Sequence, residues 1–84
     1  MNNKVLVNIY VPILEKEYNL YIPIVKRIGT VKNLIIEIIN ENTDGSYEND
    51  GCKYLYDKIS GVKLDDNEYF KHSKIKNGTK LILY

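Results

Sequence analysis

Few side chains in this 84-residue sequence combine the residue type and the spacing that catalysis or metal binding requires. Cys52 is the single cysteine, so the sequence offers neither an internal disulfide nor a cysteine-rich zinc site. A catalytic thiol needs an oriented base or cation to form the thiolate, and apart from the adjacent Lys53 the sequence indicates none near Cys52. His72 is the single histidine, in a predicted exposed turn. We therefore interpret Cys52 as a free thiol and His72 as a surface side chain.

Carboxylates are more numerous, but their arrangement is typical of turns. Asp65 and Asp66 are adjacent and follow a short apolar segment, where a turn and a helix cap need side-chain acceptors. The acidic stretch 41–50 contains no cation and lacks the ordered ligand spacing of a calcium-binding EF-hand loop. The sequence thus predicts that the chain is not an enzyme and that it has no metal site and no cofactor.

A basic segment in the last part of the chain favours an alternative, nucleic-acid-binding function. Its lysines and the flanking aromatic residues are Lys71, Lys74, Lys76, Lys80, Tyr69 and Tyr84. Such a strip binds nucleic acid through phosphate contacts and base stacking. The net charge is only +1, however, so the binding would be weak and sensitive to salt. The alternative is thus a nucleic-acid-binding or regulatory accessory protein of a mobile element.

Two hydrophobic periods in the first half of the chain indicate the elements that position these residues. Apolar side chains alternate over 4–11 and again over 18–22, which predicts two strands that form a hairpin. From Thr30, the predicted N-cap, the period changes to that of a helix. The predicted buried stripe of this helix consists of Val31, Leu34, Ile35, Ile38 and Ile39, with Ile36 pointing away from it.

The second half of the chain contains short strand patterns separated by turns. We expect strands at 53–56 and 62–64 and a helical turn that buries one aromatic residue, near Phe70. The Asn77-Gly78 pair predicts a turn, because glycine accepts positive φ angles, and the last strand follows at 80–84.

These elements predict the fold class and the domain organisation. We expect an α+β protein in which a mixed sheet of about five strands, ββαββ plus a last strand, packs on one α-helix. Its length predicts a single domain over 1–84, with an ordered core from about residue 4 to residue 84. The longest apolar run, 21–25, is far shorter than the roughly 20 residues of a membrane span, and no signal peptide is evident. We therefore expect a cytoplasmic protein.

The closing segments carry a resemblance to a known superfamily. The sequence Leu64-Asp65-Asp66-Asn67-Glu68-Tyr69-Phe70 and the later Ile75-Lys76-Asn77-Gly78-Thr79-Lys80-Leu81 resemble the end of the ubiquitin-like β-grasp fold. The order of elements resembles that fold from Lys4 to Tyr84. Within the superfamily, the sequence is most similar to the small bacterial YukD/EsaB-type proteins of type VII (WXG) secretion systems. Because the chain ends at Tyr84 without a Gly-Gly tail, the resemblance implies docking rather than conjugation.

The resemblance also implies a function and a partner. The expected function is that of a non-conjugating, ubiquitin-like, protein-binding adaptor, an accessory component of a Gram-positive type VII secretion system. The expected partner is a protein, such as the cytoplasmic part of the secretion machine. We expect no insertion into the membrane and no nucleic-acid partner. A homo-oligomer is compatible with the sequence but is not indicated by it.

A docking surface follows from the same resemblance. Ubiquitin binds partners through its first hairpin turn, its third strand and its last strand, and the matching positions here are Leu14 (or Ile13), Leu55 and Ile82. Strand parity adds three tyrosines at the margin of this surface, which are Tyr10, Tyr21 and Tyr84. The parity of the third strand stays open, because either Leu55 or the tyrosines that flank it could face the core.

Overall fold

The first hairpin follows the predicted alternation. In the computed structural model, which describes residues 4–84, β1 (Lys4–Val11) pairs antiparallel with β2 (Lys16–Pro23) along its whole length. A short 3-10 turn, Pro12–Leu14, connects the two strands. Val7, Ile9 and Val11 are buried, so β1 presents one apolar face to the core. The predicted domain 1–84 includes three residues that lie outside the described part of the chain.

Over residues 4–84, four strands form the sheet, in the order β2-β1-β4-β3. β3 (Leu55–Asp57) pairs antiparallel with β4 (Thr79–Leu83), and β4 runs parallel to β1. The mixed α+β arrangement is therefore as predicted, but the expected count of about five strands is wrong. Residues 62–64 do not form a strand, and in the described chain they pair with β3 only through the isolated bridge Tyr56↔Lys63. This segment is too short to extend the ladder beyond a single bridge.

The helix α1 covers Ile28–Asn42 and begins earlier than the sequence predicted. Its N-cap is Arg27 rather than Thr30, and no side chain caps it. Backbone carbonyls of a distant segment accept the first free N–H groups instead. The N–H of Ile28 donates to the carbonyl of Glu68 (2.8 Å), and the N–H of Gly29 donates to that of Asp66 (2.9 Å).

The buried face of α1 also differs from the predicted stripe. Ile36 is only 1% exposed, whereas Leu34 and Ile38 are 40% and 45% exposed. The prediction for these three positions is therefore wrong. The side chains that α1 does bury are Ile28, Val31, Lys32, Ile35, Ile36 and Ile39.

The loop that follows α1 explains this difference. Tyr47 is buried in the same cluster as Ile36, and the side-chain nitrogen of Asn49 donates to the side-chain oxygen of Asn33 on the helix (3.1 Å). The loop thus covers the flank of α1 that carries Ile36. Because both the sheet and this loop pack against α1, the buried face of the helix includes Ile36, which packing on the sheet alone would leave exposed.

The segment before the last strand agrees with its prediction. Phe70 is fully buried in a 3-10 turn, Phe70–His72, and Gly78 adopts a φ angle of 88° in the Asn77-Gly78 turn. The turn is joined to β1, because the N–H of Leu6 donates to the side-chain oxygen of Asn77 and the N–H of Gly78 donates to the carbonyl of Leu6, each at 2.8 Å. This junction fixes where β4 enters the sheet.

Candidate functional site

The sheet has one face that the helix does not cover, and its central row is apolar and aromatic. Because Ile9 and Val11 are buried, the intervening Tyr10 lies on the opposite face of β1. The register places Tyr10 beside Ile82 of β4, and Ile82 beside Tyr56 of β3. These three side chains therefore form a row across three adjacent strands.

Tyr84 extends this row beyond the end of β4. Its ring packs edge-to-face against that of Tyr56, with the ring centres 6.2 Å apart and the planes at 79°. It is nevertheless 70% exposed. We call Tyr10, Tyr56, Ile82 and Tyr84 the tyrosine patch. Aromatic side chains of this kind bury a large area on binding while their hydroxyl groups keep hydrogen bonds, so the patch has the composition of a protein-binding surface.

An open cleft of about 420 Å³ lies against the patch. Tyr56, Ile82 and Tyr84 line it together with Asp57 and Gly61 of the adjoining loop. The shape and the lining offer a place where a partner could insert one apolar side chain.

The side chain of Asp57, the first residue of the loop at the rim of this cleft, holds the loop in place through hydrogen bonds. The side-chain oxygen of Asp57 accepts hydrogen bonds from the N–H groups of Ile59 (2.8 Å) and Ser60 (3.0 Å). The bond from Ser60, more than that from Ile59, lowers the pKa of the Asp57 carboxyl, because both bonds favour the charged form. Gly61 closes the turn with a φ angle of 76° and donates its N–H to the carbonyl of Asp57 (2.8 Å).

A charged pair borders the patch on its other side. The ammonium group of Lys58 lies 5.1 Å from the centre of the Tyr10 ring and 3.9 Å from a side-chain oxygen of Glu17. A cation at this distance is attracted by the face of the ring. The pair gives the apolar patch a polar rim, as protein-binding surfaces have.

The structure brings some of the predicted docking residues together and separates others. Ile82, Tyr10 and Tyr84 lie in one patch, as expected. Tyr21 is exposed, but it pairs with Leu6 at the far end of the sheet, beyond the Asn8–Asn19 pair.

One of the predicted docking residues is misplaced. Leu55 is 0% exposed, so its assignment to the surface is wrong. It pairs with the buried Leu83, which fixes its side chain on the helix side of the sheet. Leu14 is half-buried against the core, whereas its neighbour Ile13 is exposed and lines a cavity that Tyr84 shares.

Tyr56 is the residue that the sequence prediction missed. The alternation Tyr54-Leu55-Tyr56 is compatible with two arrangements, in which either Leu55 or the two tyrosines face the core. The deciding information is the pairing of Leu55 with Leu83, which joins parts of the chain that are distant in sequence.

Other tyrosines have structural rather than surface roles. The centre of the Tyr54 ring lies 4.7 Å from the ammonium group of Lys32 and 3.9 Å from that of Lys63. Tyr47 is buried, and this burial, followed by the charge of Asp50 and then by Tyr18, raises the pKa of its hydroxyl to about 12. The high tyrosine content is therefore only partly explained by a binding surface.

Asp65 and Asp66 also serve the fold. The side-chain oxygen of Asp65 accepts the N–H of Asn67 (2.9 Å) and shapes the predicted turn. Asp66 forms an ion pair with Lys32 at 2.7 Å, and the Lys32 side chain is only 11% exposed. A buried ammonium group needs such a partner, so Asp66 stabilises the helix–loop contact.

A second cleft, of about 540 Å³, collects part of the basic segment. Lys74, Lys76 and Lys80 line it, with Lys58 and Asp57. Neither Tyr69 nor Tyr84 lines this cleft, and the Tyr69 ring instead lies under the guanidinium group of Arg27 (4.9 Å). The aromatic strip that the nucleic-acid hypothesis requires is therefore not assembled.

The residues with catalytic or metal-binding chemistry lie apart. Cys52 is an exposed free thiol, and the His72 ring packs edge-to-face on Tyr69 (6.0 Å between ring centres). Over residues 4–84, no group of three or more His, Cys, Asp or Glu side chains is placed to hold a metal ion.

Within the described part of the chain, no helix is both long enough and apolar enough to cross a bilayer.

Comparisons with known proteins define the fold. No family model matches the chain, and no curated protein matches it either. Among solved structures, one chain of the ESX-5 inner membrane complex without MycP5 is similar, with a TM-score of 0.81 at 11% identity over 99% of this chain. The present chain spans 21% of that one.

Two ubiquitin-like domains solved on their own are also similar, one over nearly all of its length and the other over about three quarters of it. The EccD5 ubiquitin-like domain from Mycobacterium xenopi has a TM-score of 0.78 at 12% identity and covers 99% of this chain and 94% of its own. An N-terminal ubiquitin-like domain of another protein has a TM-score of 0.77 at 13% identity, and the match covers 100% of this chain and 76% of that domain's chain. The chain thus has a ubiquitin-like β-grasp fold, as the sequence predicted.

Proposed function

We propose that this chain is a ubiquitin-like adaptor that docks non-covalently onto a protein partner through the tyrosine patch. The observation that carries the proposal is the row Tyr10–Ile82–Tyr56, extended by Tyr84, on the sheet face opposite the helix. A contiguous patch of large apolar side chains beside an open cleft is typical of a binding surface. Docking is also the activity that best fits a chain whose histidine and cysteine lie apart.

We infer that the partner belongs to a type VII secretion machine and that the chain is an accessory component of the YukD/EsaB type, acting in the cytoplasm. Two observations support this inference. The sequence resembles those proteins in its closing segments, and the fold is similar to the EccD5 ubiquitin-like domain and to a part of the ESX-5 complex.

Two tyrosines provide a matched test of the proposed surface. Tyr84 and Tyr21 are 70% and 66% exposed, but only Tyr84 belongs to the patch. Tyr84→Ala and Tyr21→Ala therefore remove the same exposed ring inside and outside the proposed interface. For a partner captured with the wild-type chain as bait, we expect Tyr84→Ala to weaken binding by roughly 10-fold or more and Tyr21→Ala to weaken it by less than about 3-fold.

The binding is measured by titration calorimetry with the purified partner. Both variants should retain the circular dichroism and the unfolding transition of the wild type, since exposed substitutions change stability by less than about 0.5 kcal/mol. Equal effects of the two substitutions would contradict a patch-centred interface, and so would an effect confined to Tyr21.

A further inference from the structure

The two edge strands of the sheet, β3 and β2, differ in whether their outer backbone groups are hydrogen-bonded. The outer edge of β3 is occupied, because the N–H of Asp57 donates to the carbonyl of Val62 (2.9 Å) and the N–H of Leu64 donates to that of Leu55 (2.8 Å). The other edge is β2, whose only strand neighbour among residues 4–84 is β1. One edge is thus covered by the chain itself, and the other is open within the described residues.

The register shows which backbone groups of β2 face outward. The N–H and carbonyl of Leu6 bond toward Asn77 and Gly78, so the even-numbered residues of β1 direct their backbone groups to β4 and the odd-numbered ones to β2. Val7 therefore bonds with Leu20, and Ile9 with Tyr18. It follows that Glu17, Asn19 and Tyr21 direct their N–H and carbonyl groups away from the sheet.

This open edge lacks the features that usually prevent pairing with another strand. Edge strands are commonly protected by a central lysine or proline, a bulge, or a short length. β2 has eight residues and pairs with β1 without a bulge, and its lysine and proline stand only at its ends, Lys16 and Pro23. Of the outward positions, Glu17, Asn19 and Tyr21 carry no lysine and no proline, and only Pro23 at the end of the strand lacks an N–H.

We propose that a second copy of this chain pairs with this edge, antiparallel, β2 against β2, to form one continuous sheet across a two-fold axis at Asn19. In this register Asn19 faces Asn19 of the other copy, and Glu17 faces Tyr21, and each of these pairs exchanges two N–H···O bonds. Shifting the register by two residues loses bonds at one end or the other. Pro23 has no N–H, and Glu15 leaves the strand in the left-handed conformation, with a φ angle of 52°.

The side chains are self-complementary in the same register. On the face that carries the tyrosine patch, Asn19 already accepts a hydrogen bond from the side-chain nitrogen of Asn8 (3.1 Å), so the dimer continues an asparagine ladder across four strands. On the helix side, Tyr18 faces Leu20, and Lys16 faces Ile22. No two like charges face each other, which favours a second copy as the occupant.

The helix supplies apolar surface beside the same edge. Asn33 and Ile36 lie on the flank of α1 that the loop after the helix covers, on the side of β3. Leu34 and Ile38 are 40% and 45% exposed. The helical period puts them on the flank opposite Ile36, from which we infer that they lie on the side of β2. In the dimer this strip borders the gap between the two helices above the paired β2 strands, where apolar side chains become buried. The interface contains none of the four residues of the tyrosine patch, although Glu17, at the rim of the patch, belongs to it.

Amide exchange on the wild-type protein tests this arrangement without any substitution. The amides of Tyr18, Leu20 and Ile22 bond to β1 and should exchange slowly at every protein concentration. Those of Glu17, Asn19 and Tyr21 should exchange rapidly in dilute solution and slow as the concentration rises to about 1 mM, in parallel with dimer formation measured by sedimentation equilibrium. A protein that stays monomeric to that concentration, even one that binds an extended peptide at β2, would overturn the proposal. A dimer that leaves these three amides unprotected would overturn it equally.

Two substitutions at the two-fold axis form a matched pair. Asn19→Pro removes an N–H that β1 does not use, in a position where an edge strand tolerates proline, and should raise the dimer dissociation constant at least about 10-fold. Asn19→Ala also loses the side-chain amide but keeps the N–H, and should raise the constant by less than about 3-fold. Equal constants for the two variants would contradict pairing at this edge. If the proline variant fails to fold, the exchange pattern of the wild type still decides.

Discussion

The two isoleucines Ile36 and Ile38 offer a direct test of how α1 is oriented. They have the same side chain and stand two residues apart in the middle of the same helix. Ile36 is 1% exposed and Ile38 is 45% exposed. The helical period alone predicted the opposite, so truncation of each side chain to alanine separates the two orientations.

The magnitude follows from burial. An isoleucine truncated to alanine in a packed core costs about 2–5 kcal/mol, through lost apolar contact and the cavity left behind. We expect about 3 kcal/mol for Ile36→Ala, because the loop after the helix covers it and can relax in part. For a domain of this size, such a loss lowers the melting temperature by roughly 12–24 °C.

Ile38→Ala should behave differently. Its side chain is already partly hydrated in the monomer, and alanine is a better helix former than isoleucine by a few tenths of a kcal/mol. The two contributions offset each other, so the free energy of unfolding should change by less than about 1 kcal/mol.

Urea unfolding, followed by circular dichroism at low micromolar concentration, measures both variants, and the low concentration keeps any association of the chains out of the result. Equal losses, or a larger loss for Ile38→Ala, would refute the orientation of α1 described above and with it the role of the loop as a second cover for the helix.

Two further predictions concern buried polar groups. Asp66→Ala should destabilise the fold by roughly 1–3 kcal/mol in urea unfolding, because it leaves the Lys32 ammonium group without its carboxylate. Lys32→Met should cost less, since an apolar side chain of similar length needs no partner. A larger loss of stability for Lys32→Met than for Asp66→Ala would contradict this. Burial raises the pKa of Tyr47 from 10.0 to about 12, so its contribution to stability is fully present below pH 10. That contribution is lost as the pH rises toward 12, because over this range the unfolded chain ionises the hydroxyl and the folded state keeps it neutral. Tyr47→Phe should therefore lose less stability than the wild type between pH 10 and pH 12, and parallel urea midpoints for the two proteins over that range would exclude this role.

The sequence predicted those parts of the fold whose pattern is local. The alternation in β1 and the Asn77-Gly78 turn each determine a backbone conformation without help from distant residues. The buried Phe70 was predictable in the same way, because its segment has one large apolar side chain. These elements, in their order, were sufficient for the ubiquitin-like fold.

The errors arose where a distant contact decides the outcome. β3 has three residues, and its parity depends on the pairing of Leu55 with Leu83 rather than on its own pattern. The buried face of α1 depends on a loop whose polar sequence gave no sign that Tyr47 would join the core. Only the error in β3 affected the predicted site, because it placed Leu55 on the surface and left Tyr56 out of it.

Site-specific photo-cross-linking in the source cells tests the proposed docking surface most directly. A benzophenone amino acid in place of Tyr56 preserves an aromatic ring at the centre of the tyrosine patch, and the same amino acid in place of Tyr21 probes the far end of the same sheet face. We expect position 56 to form a covalent adduct with a protein of the type VII secretion machine, identified by mass spectrometry, and position 21 to form no adduct with that protein. Adducts with that protein from position 21 alone, or no protein adduct from position 56 in cells that assemble the secretion machine, would contradict the assignment of the tyrosine patch as the docking surface.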